Sequence, residues 1–170
     1  MDGELARPEE ALREGSEVAL LPPVSGGAPA GRATLTDETI DVARLAAAAA
    51  DPTCGAVVLF VGNVRDRHHE RSVVSITYDA YRTMATRKLE AIAADLEGAS
   101  QGLRVRIIHR LGAIPVGEAS VAIAVASAHR GAAYEASREA LERLKREVPI
   151  WKNERYTDGA AVWREEEPLG

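Results

Sequence analysis

The sequence predicts an α+β fold with three helices, and three observations lead there. Runs of β-branched and apolar residues recur along the chain as short strand-like segments. Three other segments repeat their apolar residues at helical spacing instead. The strand-like runs fall mostly in pairs between those helices, giving the order β-α-β-β-α-β-β-α-β. A doubly wound parallel sheet would alternate strictly, so a mixed or antiparallel sheet built from hairpin-like pairs is expected.

ATLT (33–36) reads as the first strand. Thr36 or Asp37 is placed to cap a helix through IDVARLAAAAA (40–50), which Asp51 and Pro52 end. GAVVLFVGNV (55–64) is a continuous apolar run, expected to be a strand buried on both faces. RDRHHERS (65–72) reads as a charged loop. VVSITYDAY (73–81) alternates and is rich in β-formers, so it is a strand. Residues 83–98 place Met84, Leu89, Ile92, Ala93 and Leu96 at roughly helical spacing. LRVRIIHRLG (103–112) is a strand, IPVGE (114–118) a turn, and ASVAIAVASA (119–128) a long apolar strand. A helix from 131 to 147 turns Ala133, Ser137, Ala140, Leu141, Leu144 and Val148 to one face until Pro149 stops it. IWKNERY (150–156) is extended, and DGAAVW (158–163) supplies a closing turn and strand.

Composition narrows the function classes. The 170 residues are 46% hydrophobic, enough for one main domain. A net charge of −5 argues against a nucleic-acid surface. No apolar run approaches the ~20 residues of a membrane span, and no secretory signal is visible. The single cysteine, Cys54, sits in the turn DPTCG and fits a reducing, cytoplasmic setting. His68 and His69 are adjacent, but neighbouring strand residues face opposite ways and no further ligand follows at metal spacing. No metal site is expected, and no dinucleotide or Walker motif calls for a cofactor.

Residues 1–27 read as the end of some other fold. MDGELA and EVALLPPV are short extended stretches around a polar turn, too little to bury a core. The segment closes on Gly26 and Gly27. A diglycine after an extended tail suits a chain end that must thread a narrow channel, because glycine adds no side chain and adapts its backbone freely. Residues 28–32, APAGR, read as a linker.

Of 21 basic residues 18 are Arg, and the three lysines are Lys88, Lys145 and Lys152. Arg stays charged and cannot carry a proton near neutral pH, whereas Lys can. Lys145 lies in the last helical turn and Lys152 follows the forced turn at Pro149, so both amines can be aimed at one pocket. The bland role for Lys145 is to complement the helix dipole. His129 and Arg130 lie where a strand ends and a helix begins, a place that attracts phosphate; their bland roles are a cap and a solvated first turn. Arg65 leaves a strand beside Asn63 and Val64, with Gly62 suited to a close backbone approach.

GAVVLFVGNVR, IIHRLGAIPVGE, VASAHRGAAYEA and LKREVPIWKNE together resemble the large, catalytic subunit of molybdopterin synthase over roughly residues 33–164. Residues 1–27 resemble the ending of the small, ubiquitin-like sulfur carrier of the same enzyme, so the chain reads as a carrier tail fused ahead of a large subunit, with an acidic tail at 165–170. The resemblance implies an α/β-hammerhead-like domain that dimerises and binds carriers at its outer ends. It implies sulfur transfer from a carrier's Gly-Gly thiocarboxylate to cyclic pyranopterin monophosphate, forming the dithiolene of molybdopterin. Lys145 would be the main catalytic lysine and Lys152 its assistant. Arg65, His129 and Arg130 would hold phosphate and pterin, with Asn63, Val64, Asn153 and Glu154 lining the pocket. In a dimer His129 and Arg130 could serve the partner's pocket. Gly27 is here joined to Ala28, so either cleavage after Gly27 or a separate carrier is expected. Two other readings stay open: a non-catalytic module that grips a diglycine-tailed carrier, and a phosphate-ester enzyme built on His129 and Arg130.

Overall fold

The computed structural model describes residues 31–68 and 70–165, with only the backbone of residues 164 and 165. The predicted carrier tail with Gly26 and Gly27, most of the linker, His69 and residues 166–170 lie outside that range.

A four-stranded mixed sheet carries the strands β1 (Ala33–Thr36), β5 (Arg104–Arg110), β7 (Ala119–Ser127) and β2 (Ala56–Asn63), in that spatial order. Only β1 and β5 run parallel; the other neighbours are antiparallel. Central β7 spells out two faces by simple alternation. Val121, Ile123 and Val125 point into the main core beneath helices α2 (Arg82–Ala99) and α3 (Arg130–Glu147). Ala122, Ala124 and Ala126 point the other way, against Leu45 and Ala49 of α1 (Val42–Ala49). The small residues let α1 lie close, and β7 is therefore covered on both sides.

That two-sided burial was expected of β2, and there the structure corrects the sequence reading. β2 is the edge strand of the sheet, with Val57 43% and Leu59 40% exposed. Helix α1 packs mainly over β7 and β5 and leaves them uncovered. Gly62 does serve a close approach: a Cβ there would stand 2.7 Å from Val121 Cγ1, beside the register shift that ends β2.

The second sheet has the order β3 (Arg67–His68), β4 (Arg71–Ala80), β8 (Ile150–Tyr156) and β9 (Ala161–Glu165). β6 (Gly112–Pro115) pairs with β4 on the edge opposite β8. Two of these strands were expected as loop and turn. β3 forms inside the charged stretch because its partner Arg71–Ser72 offers a hairpin. β6 forms because Ile114, fully buried, pairs with Ile76 before Pro115 ends the ladder.

The helices begin and end for local reasons. Asp41, and not Thr36 or Asp37, caps α1: its carboxylate accepts from the Arg44 N–H at 3.0 Å. Thr36 instead accepts from the Glu38 N–H, and Asp37 pairs with Arg82 of α2. α2 buries Ala85, Leu89, Ile92 and Ala93, while Met84, expected on that face, is 48% exposed. α3 buries the predicted face and stops before Pro149. No described helix is long and apolar enough to cross a membrane.

Candidate active site

Lys145 sits half-buried in the last turn of α3, next to buried Leu144. Its basic neighbours are engaged: Arg143 with Asp95 at 2.9 Å and Glu147 at 3.0 Å, Arg146 with Glu147 at 3.1 Å. The hydrogen bond from Arg143, with help from Arg146, holds the Glu147 carboxyl below its usual range. Lys145 stands outside this network and has no hydrogen-bond or ion-pair partner among the described residues. An ammonium left unmatched in a half-buried position is ready for an external anion.

After Val148 and Pro149 the chain returns as β8, and the pleat sorts its residues. Ile150, Lys152, Glu154 and Tyr156 share the face turned to the core; Trp151, Asn153 and Arg155 share the other. Glu154 is 1% exposed and has Lys152, His68 and Tyr156 among its partners. Lys152 Nζ is 3.4 Å from Oε1, His68 Nδ1 is 2.9 Å from Oε2, and the Tyr156 hydroxyl donates to Oε2 at 2.5 Å. Burial pushes the Glu154 carboxyl up, but the Tyr156 hydrogen bond and the charges of Lys152 and His68 outweigh it, and the net shift is downward. Glu154 is thus a buried anion that tethers Lys152. Beside Lys152 in register stands Tyr78, whose ring meets His109 edge-on at 5.1 Å. Complete burial lowers the His109 pKa to about 4, so this imidazole is neutral at physiological pH.

The segment after β2 supplies a third group. Asn63 is exposed beyond the register shift. The Val64 side chain is 2% exposed in the core, and its backbone clamps the turn before β7 through Glu118 O at 2.9 Å and the Gly117 N–H at 2.8 Å. Arg65 is exposed with no partner among the described residues. The pleat leaves Asn153 opposite Lys152, in register with Trp163.

His129 and Arg130 occupy the opposite end of α3. His129 is the N-cap residue, but its side chain makes no capping hydrogen bond, and the first turn holds no acidic residue. Both side chains are exposed. The free N–H groups and the adjoining cation make this end receptive to an anion. From Arg130 to Lys145 the helix rises about 22 Å. One chain therefore cannot bring His129 and Arg130 together with Lys145 and Lys152. An open hollow of about 540 Å³ along α2, lined by Arg82, Thr83, Thr86, Arg87 and Glu90, holds none of these residues. The described residues contain no cluster of three or more His, Cys, Asp or Glu arranged for a metal.

Sequence reasoning missed His68 and Tyr156. Tyr156 was within reach: once 150–156 reads as a strand, Lys152, Glu154 and Tyr156 alternate onto one face. His68 had no such signal, because it meets Glu154 only across the folded sheet.

The MoaE protein family matches residues 35–147, and the ThiS family matches residues 1–27. The molybdopterin synthase catalytic subunit of Culex quinquefasciatus is 44% identical over 134 residues, covering 77% of this chain and 85% of that protein. The crystal structure of molybdopterin synthase from Staphylococcus aureus is 35% identical with a TM-score of 0.73, covering 76% of this chain and 94% of that one. A chain from the complex of subunits 1 and 2 of the Helicobacter pylori molybdopterin-converting factor is 21% identical with a TM-score of 0.67, covering 81% of this chain and 92% of that one; it speaks for the fold. The fold and its relatives place this protein among the enzymes of molybdenum cofactor biosynthesis. Within that class, the chain belongs to the MoaE family, that of the molybdopterin synthase catalytic subunits.

Proposed function

We propose that this chain transfers sulfur from the thiocarboxylated C-terminal glycine of a small carrier to cyclic pyranopterin monophosphate, forming the dithiolene of molybdopterin. The observation that carries the reading is the division of labour around Pro149, with Lys145 unmatched and Lys152 held by a buried carboxylate. Lys145 faces the anionic thiocarboxylate. Lys152 delivers a proton or steadies negative charge developing on the pterin side. Arg65 holds substrate at the same end.

His129 and Arg130 bind the substrate phosphate in the pocket of a second copy, since α3 keeps them from their own chain's lysines. The catalytic unit is then a homodimer. The ThiS match at residues 1–27 supports a diglycine carrier as sulfur donor. A thiocarboxylate needs a free C-terminal carboxyl, and Gly27 is bonded to Ala28. The donor is therefore either the segment released by cleavage after Gly27 or a separate carrier. Intact mass of protein from its native host distinguishes the two.

The deciding experiment reconstitutes the full chain with cyclic pyranopterin monophosphate and a thiocarboxylated carrier. Lys145→Ala is expected to abolish dithiolene formation while carrier binding persists. Undiminished turnover in that variant would overturn the assignment. Carrier binding with no turnover in the unsubstituted chain would make it a binding module only.

A further inference from the structure

We infer that His68 is a positioning residue for Lys152, acting through the Glu154 carboxylate the two share: protonation of the imidazole loosens the lysine, and deprotonation pins it. The consequence for sulfur transfer rests on the role proposed for Lys152; the coupling itself stands on the geometry alone.

The two carboxylate oxygens divide the work. Oε1 faces Lys152 Nζ at 3.4 Å, a loose contact, while Oε2 faces His68 Nδ1 at 2.9 Å and accepts from Tyr156 at 2.5 Å. Glu154 is 1% exposed, so its charge is poorly screened by water, and each partner feels the other through it. His68 and Lys152 keep 15% and 16% of their side-chain surface, enough to exchange protons with solvent. With His68 neutral, one carboxylate faces one ammonium and the pair is complete. With His68 charged, two cations compete for one anion. The lysine is then held less firmly. An imidazole is the side chain whose charge ordinarily changes between about pH 5 and 8, so His68 is the group that can switch this competition.

The described charges around the carboxylate leave this competition in place. Arg71, in register with His68, is paired with Asp158 at 2.8 Å and lies 3.7 Å over the Tyr156 ring. It is a constant cation on the β4 side. Arg67 and Glu70, on the hairpin of His68 itself, are exposed. On the far side, β9 places Val162 opposite Glu154 and the backbone of Arg164 opposite Lys152. Of Lys152, Tyr156 and His68 around Glu154, the imidazole is the group type whose charge ordinarily changes near neutral pH.

The chain's three lysines make a direct test practicable. In the full chain labelled at lysine ¹³Cε, the Lys152 resonance is expected to show an inflection between about pH 5 and 8. Lys88 and Lys145 are expected to show none. The inflection disappears in His68→Gln, and in His68→Asn as a second variant. It survives in Tyr156→Phe, which removes a hydrogen bond but no titrating imidazole. A wild-type Lys152 signal without the inflection, or one that keeps it in both His68 variants, overturns the proposal. In reconstituted sulfur transfer, His68→Gln is expected to lose the matching inflection in kcat with KM for the pterin unchanged. A kcat without that inflection, beside a Lys152 resonance that loses its own in His68→Gln, would leave the coupling standing and remove Lys152 from the chemistry.

Discussion

The two ends of α3 carry basic side chains of opposite character. At the start, His129 and Arg130 are exposed and have no hydrogen-bond or ion-pair partner among the described residues. At the finish, Lys145 is half-buried and Lys152 is tied to an anion that is itself locked into the sheet. The first end can wait for a partner; the second is built as part of the core. One helix thus separates an exposed basic pair at its start from two lysines at its finish, and the dimeric site proposed above draws on both ends.

The sharpest way to break this comparison is to mix variants. Lys145→Ala and Arg130→Ala are each expected to lose sulfur transfer by about 10²–10³-fold. If the ends complete each other across a two-fold axis, mixed dimers contain one intact site, and mixing equal amounts restores about a quarter of wild-type sites. No recovery after subunit exchange would mean that the two ends do not meet across a dimer.

A second test contrasts stability. Glu154→Ala leaves Lys152, His68 and Tyr156 without their shared anion and should destabilise the fold by about 3–5 kcal/mol. Arg130→Ala should stay within about 0.5 kcal/mol of wild type, as expected of an exposed side chain. Urea unfolding of both variants measures the difference, and equal losses would remove the distinction drawn here.

Acid should weaken the lysine end as well. His109 beside Tyr78 binds its proton only near pH 4 in the folded chain, against about 6.5 when unfolded. Between those values the unfolded state holds the extra proton, so stability is full above about pH 6.5 and falls as pH drops toward 4. The loss is about 2–3 kcal/mol. Glu154, whose pKa is lowered, adds a further loss below its unfolded value of 4.5. Urea midpoints measured from pH 7 to 4 check the first slope, which His109→Gln should flatten. The smallest expected effect is local: Asp41→Ala removes the α1 cap and costs about 1 kcal/mol, measurable as a small drop in the same midpoint.

Much of this was legible in the sequence, and the gaps have physical causes. α3 was readable because its apolar period and Pro149 agree. The lysines stood out because so few basic residues are Lys. β2 and β7 are both apolar runs, and only their neighbours decide which one α1 covers; composition could not rank them. β3 and β6 are too short to show a period. Lys152 and Glu154 were named together, yet their hub was hidden because His68 arrives from a hairpin that read as loop.

The length of α3 has one more consequence. A residue inserted between Arg130 and Lys145 adds only about 1.5 Å but turns everything beyond it by about 100°. The lysine would then leave the flank of its apolar stripe and face solvent, or drag Leu144 out of the core. An insertion of four residues nearly restores the heading and shifts the span by about 6 Å. The helix therefore fixes an angle as strictly as a distance, and length changes are expected in whole turns or not at all.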